Sequence, residues 1–110
     1  MAQDGHVVIM TTAGSREEAR RLARGLVEGR LAACVQMTPV DSVYEWNGEV
    51  REDAEILLLV KTRRARHADV EAWLRRHHSY EVPEIIAVPV EAGLAAYLAW
   101  VDGQTAGGTD

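Results

Sequence analysis

Residues 31–60, LAACVQMTPVDSVYEWNGEVREDAEILLLV, decide the fold. Ala33, Val35 and Met37 alternate as far as Pro39, and Val40, Tyr44 and Trp46 continue on an even period. A period of two belongs to a strand, whose successive side chains point to opposite faces. Asn47–Gly48 comes next. Both residue types accept the positive φ that a two-residue type I′ turn demands, so the chain is expected to double back as a hairpin. The return arm ends in Ile56–Leu57–Leu58–Leu59–Val60, an unbroken apolar run that predicts a central strand covered on both faces.

Upstream, Val7–Met10 reads as a short strand, with a turn at Thr11–Gly14 behind it. Ser15 followed by Glu18 has the spacing of a capping box, in which each side chain satisfies a free backbone N–H. The helix it opens carries Ala19, Leu22, Ala23, Leu26 and Val27 on one stripe and stops at Gly29. Downstream, Arg63–His78 predicts a second helix with Val70, Trp73, Leu74 and His77 inward. A loop through Pro83 leads to a last strand, Ile85–Val90, and a closing helix, Leu94–Val101, with Leu94, Tyr97, Leu98 and Val101 inward. The order β-α-β-β-α-β is that of an α+β, ferredoxin-like split βαβ sandwich: an antiparallel sheet, helices on one face, and an extra C-terminal helix. Pro39 and Pro89 fall on the two strands that form the sheet edges in that topology, where a residue without an N–H is tolerated. Residues 1–103 are expected to form the single domain, and the small, polar stretch 104–110 a disordered tail.

The chain has 110 residues, enough for one core. Its net charge of −5 repels phosphate backbones and argues against nucleic acid as a partner. Cys34 is the lone cysteine, so no internal disulfide forms. No run approaches the roughly 18 apolar residues of a membrane span, and the first residues lack the pattern of an export signal. The expectation is a cytoplasmic protein with no membrane association.

The hairpin is too long for a monomer of this size. Residues 32–46 extend to ~45–50 Å as a strand, whereas a domain of this length has a diameter near ~35 Å. Either Pro39 breaks the strand and the hairpin folds back, or its tip overhangs and lies on something else. The tip carries Tyr44 and Trp46, large groups that favour burial. A sister subunit would cover them and also use the open sheet edges. Tyr44 and Trp46 are therefore the expected oligomer interface.

Several residues invite chemistry. His77–His78 places two imidazoles side by side, but neighbours on a helix point about 100° apart and chelate one ion only where the helix unwinds or another subunit helps. The alternative is that His77 ends the apolar stripe and His78 sits at a helix C-terminus, where the dipole favours it. Cys34, among small apolar residues, reads as a buried, inert thiol. The Thr12–Arg16 turn offers hydroxyls and N–H groups at a helix N-terminus, as an anion seat or as a simple cap. Lys61 leaves the central strand, and Tyr80, Glu81 and Glu84 flank Pro83; a pairing of Lys61 with one of these carboxylates would line a cleft. Glu49, Glu52, Asp53 and Glu55 read as a solvated hairpin face able to hold hard cations weakly.

The segments Leu31–Val35, Tyr44–Gly48, Lys61–Arg63, His77–Ile86 and Tyr97–Trp100, in this order, resemble the CutA divalent-cation tolerance family over nearly the whole chain, from about Val7 to Val101. The resemblance implies the ferredoxin-like fold, a tight homotrimer built by crossing hairpins, and a cytoplasmic, non-enzymatic role in the response to copper and other divalent ions. It implies metal ligands at His77 and His78. Thr11 stands where copper-binding relatives have a cysteine, which disfavours Cu(I) and leaves N/O coordination of Cu(II) or Zn, with no obligatory cofactor. Two further functions fit the same fold: a trimeric small-ligand sensor with sites in clefts between subunits, and an acylphosphatase-like enzyme using the Thr12–Arg16 turn.

Overall fold

A computed structural model describes residues 5–106. In chain order the elements are β1 (His6–Ala13), α1 (Arg16–Glu28), β2 (Cys34–Trp46), β3 (Glu49–Arg63), a 3₁₀ turn (Arg64–Arg66), α2 (His67–His77), β4 (Ile86–Val90) and α3 (Ala95–Thr105). The four strands form one antiparallel sheet in the order β2-β3-β1-β4. This is the split βαβ arrangement read from the sequence, with Pro39 and Pro89 on the edge strands as expected.

Asn47 and Gly48 have φ of 53° and 82°, and Trp46 pairs with Glu49, so the two-residue turn forms. Pro39 does not break its strand: it pairs with Ile56 inside a register that runs without interruption from Cys34 to Trp46. The result is an elongated body of 44 × 25 × 22 Å. Its hairpin tip is not folded back, for Trp46 is 56% exposed and Val50 78%.

Register partners in an antiparallel sheet share a face. Val7, Ile9, Thr11 and Ala13 therefore face the same way as Leu58 and Val60, and with Leu22, Leu26, Val70 and Leu74 of α1 and α2 they form the buried core. The opposite face carries Val8, Met10, Leu57, Leu59, Ile86 and Val88. Here the expectation of a strand covered on both sides is corrected: Leu58 and Val60 are fully buried, whereas Leu57 and Leu59 are only half-buried and Ile86 and Val88 are exposed. One chain supplies α1 and α2 for one face only.

The third helix and the tail also differ from expectation. Leu94 and Tyr97 are exposed and Leu98 is only half-buried, so of the four residues expected inward only Val101 is buried. The helix runs on to Thr105, which is fully buried. Its hydroxyl donates to the Val101 carbonyl and accepts from Arg63 Nε at 2.8 Å, while its carbonyl accepts from both Arg63 and Arg66. Charge-assisted bonds to an otherwise free helix C-terminus order a segment whose composition suggests a tail. The ordered domain thus includes residues 104 and 105, and residues 107–110 lie outside the described range. His6 and Arg63, register partners on the open face, both bond to α3, which lies against the end of that face.

Candidate functional site

The open sheet face and the loop after α2 enclose a cleft of about 720 Å³ at the root of the hairpin. Tyr44, Asp53 and Glu55 reach it from the hairpin, and Tyr80, Glu81 and Glu84 from the loop. The turn register explains the hairpin's share. Tyr44 pairs with Arg51, so Asp53 is its diagonal neighbour on the same face, and the Tyr44 hydroxyl donates to the Asp53 carboxylate. Tyr80 donates in the same manner to Glu55, at 2.8 Å. The bond to Asp53 raises the Tyr44 phenol above its ordinary pKa, and burial followed by the Glu55 bond raises Tyr80 further. Both phenols therefore remain neutral donors that fix the orientation of a carboxylate.

His78 sets the loop. Its side chain is fully buried. Nε2 bonds to the Thr12 carbonyl at 2.7 Å, and Nδ1 accepts from the Tyr80 N–H at 3.0 Å, a pattern that needs a neutral ring with its proton on Nε2. The ring also lies against that of Tyr80, centroids 4.8 Å apart. Glu18, 3.7 Å from Nδ1, accepts from both the backbone N–H and the hydroxyl of Ser79 at 2.9 Å. Burial disfavours the Glu18 carboxylate, but the bonds from the Ser79 N–H and hydroxyl outweigh it and hold its carboxyl below the usual pKa. Ser15 caps α1 by accepting from the Glu18 N–H, as expected. The Glu18 carboxylate reaches the backbone N–H of Gly14, just before the cap, and extends further to Ser79.

The two histidines do not form a chelating pair within the chain. His77 is exposed, stacks on Trp73 with centroids 4.1 Å apart, and donates from Nδ1 to the Trp73 carbonyl. That leaves its Nε2 lone pair free. Both nitrogens of His78 are taken. Among the described residues no three His, Cys, Asp or Glu side chains come together as a metal ion requires. Thr11 is fully buried on the core face, and its hydroxyl has no hydrogen-bond partner.

Lys61 is corrected as a cleft residue. It pairs with Val8 and Cys34, near the end of the sheet where α3 docks, about 20 Å along β3 from Glu55. Tyr80, Glu81 and Glu84 do share one cleft. Cys34 is half-buried rather than buried. Asp53 and Glu55 are half-buried and bonded to tyrosines, whereas Glu49 and Glu52 are exposed, so the acidic stretch is not one solvated face. In the Thr12–Arg16 turn, the Thr12 carbonyl and the Ser15 hydroxyl already serve His78 and Glu18. The Tyr44–Asp53 contact follows from the turn register alone. Glu18–Ser79 and Tyr80–Glu55 join residues 61 and 25 positions apart, for which the single sequence carries no local signal.

Comparison with known proteins places this geometry in context. Residues 7–104 match the family of the CutA1 divalent ion tolerance protein. The divalent-cation tolerance protein CutA of Thermus thermophilus is 46% identical over 89% of this chain and 96% of its own length. The chloroplastic protein CutA of Arabidopsis thaliana is 40% identical over 90% of this chain, which spans only 55% of that protein. The solved structure of the periplasmic divalent cation tolerance protein CutA from Archaeoglobus fulgidus superposes with a TM-score of 0.91 at 40% identity, covering 92% of this chain and 99% of that one.

Proposed function

Since the chain belongs to the CutA1 divalent ion tolerance family, we propose that it acts as a cytoplasmic homotrimer that takes part in the response to divalent ions such as copper by binding rather than by catalysis. The observation that carries this reading is the uncovered side of the sheet. Leu57, Leu59, Ile86 and Val88 face away from α1 and α2, and the hairpin projects Trp46 and Val50 beyond the body. Apolar surface of this extent on a sheet with two open edges favours pairing with further copies of the same chain. Closed symmetry covers every copy equally.

For the metal role, His77 is the imidazole suited to Cu(II) or Zn(II), through its free Nε2. His78 supports the loop instead. One imidazole holds an ion weakly, so the remaining ligands come from water or a neighbouring subunit. Calorimetric titration with Cu(II) and Zn(II) tests this: His77→Ala abolishes binding and restores the same curve as buffer, and binding weakens from pH 7 to 5 as protons compete with the metal for the imidazole nitrogen. Unchanged affinity and stoichiometry in His77→Ala would remove it from the site.

A second reading, a small-ligand sensor with sites in clefts between subunits, is favoured by one observation: the cleft at the hairpin root is lined by Tyr44 and Trp46, the residues expected at the subunit interface.

A further inference from the structure

α1 and α2 cover the core face of the sheet, so the outer side of α1 stays in water when neighbouring copies cover the open face. Arg16, Arg20 and Arg24 occupy that side at intervals of four residues, about 6 Å apart along the helix, and all three are exposed. Val27 continues the stripe and is 43% exposed, although its spacing predicts an inward position. Arg21 points toward α2 instead, where it bonds to the His77 carbonyl. These four arginines are a third of the 12 basic residues in a chain of net charge −5.

Electrostatics within the chain opposes this arrangement. Like charges four residues apart on a helix repel, and the stripe repeats that contact, between Arg16 and Arg20 and between Arg20 and Arg24. Arg16, the first residue of the helix, also adds its charge to the positive end of the helix dipole. Among the described residues neither Arg16 nor Arg20 has an ion pair or a hydrogen bond; Arg24 alone of the three is paired, with Glu28 at 3.2 Å. Three guanidinium groups and an apolar side chain thus line up on one helix face with little inside the chain to offset them.

We propose that the outer stripe of α1 docks an acidic peptide segment of a partner protein, with carboxylates against Arg16, Arg20 and Arg24 and an apolar side chain against Val27. Guanidinium groups match carboxylates in a planar, two-bond geometry. Carboxylates on alternate residues of an extended segment stand about 6.6 Å apart, close to the spacing of the arginines. The width of the stripe selects the partner. Glu17 and Glu28 border it on the side of α2, so a broad anionic surface such as a membrane meets those acids as well. The net negative charge of the chain repels a long polyanion such as nucleic acid. A slender acidic segment follows the arginines and avoids both.

The test is fluorescence anisotropy of a labelled ten-residue oligoglutamate titrated with the intact protein, in its native assembly, at about 20 mM salt. The peptide binds, and binding fades as salt screens the exposed pairs. Arg20→Gln weakens it about threefold, and Arg16→Gln/Arg20→Gln/Arg24→Gln at least about tenfold. Arg75→Gln, at an exposed arginine of α2, stays within about twofold of the wild type. A leucine added to one end or the other of the peptide tightens binding in the wild type and not in Val27→Ser. Arg20→Glu turns two repulsive contacts into attractive ones, so it abolishes binding while raising the melting temperature. Absence of binding, an equal loss in Arg75→Gln, no gain from leucine, or a lowered melting temperature in Arg20→Glu would overturn the proposal. Oligothymidylate of the same length, or phosphatidylglycerol vesicles, binding as tightly as the peptide would also overturn it, the first pointing to nucleic acid and the second to a membrane.

Discussion

The Nε2–H of His78 donates to the carbonyl oxygen of Thr12 over 2.7 Å, so a fully buried imidazole ties the end of β1 to the loop that walls the cleft. Through Nδ1 the same ring accepts from the Tyr80 N–H, and Tyr80 in turn holds Glu55. The adjacent histidine shares none of these bonds. Two residues that look alike in the sequence thus have separate duties.

Their variants should separate as well. His78→Ala strands the Thr12 carbonyl and the Tyr80 N–H and leaves a void, at a cost of about 2–4 kcal/mol in urea unfolding. His77→Ala removes an exposed ring and should cost under about 1 kcal/mol. Equal losses in the two variants would contradict this division.

Glu18 should contribute stability in a pH-dependent way. Its carboxylate accepts two bonds from Ser79, and its folded pKa lies below the ordinary 4.5. A lowered acid stabilises the fold above its unfolded pKa and loses that contribution as pH falls through the folded value. Glu18→Gln is therefore expected to be less stable by about 1–2 kcal/mol at pH 7, with the gap closing below about pH 4.5. A gap that stays constant from pH 7 to 3 in chemical denaturation would show that the charge is irrelevant.

Gly25→Ala sets helix propensity against packing. Alanine in a helix interior gains about 1 kcal/mol over glycine. At this position, however, an added Cβ would stand 2.4 Å from the Trp73 ring, and such overpacking costs about 1–3 kcal/mol. Packing should win, lowering the melting temperature. In the Gly25→Ala/Trp73→Leu double variant the penalty should disappear; its persistence would point to some other role for the glycine.

The strands, their order and the hairpin turn were legible because each rests on a local pattern: alternation before Asn47–Gly48, a cap at Ser15, prolines at the two edges. What the sequence concealed depends on which chain covers which surface. Leu57 and Leu59 sit in an unbroken apolar run, yet α1 and α2 bury only the alternate residues Leu58 and Val60. α3 is apolar enough to suggest an inward face, but Leu94 and Tyr97 stay exposed while Thr105, a polar residue near the end of the chain, is held by two arginines. In the site, Tyr80, Glu81 and Glu84 do meet, and Lys61 does not join them because strand geometry places it at the other end of β3. The histidine pair could be read either way in the sequence, because adjacency says nothing about which ring nitrogens the backbone has already taken.

Assembly remains the claim on which the rest depends, and sedimentation equilibrium at nanomolar concentration tests it most directly. A single species of three times the 12.1 kDa chain mass is expected, and its population should fall in Trp46→Ala. A stable 12.1 kDa species, with the open face and the hairpin tip left in water, would contradict it.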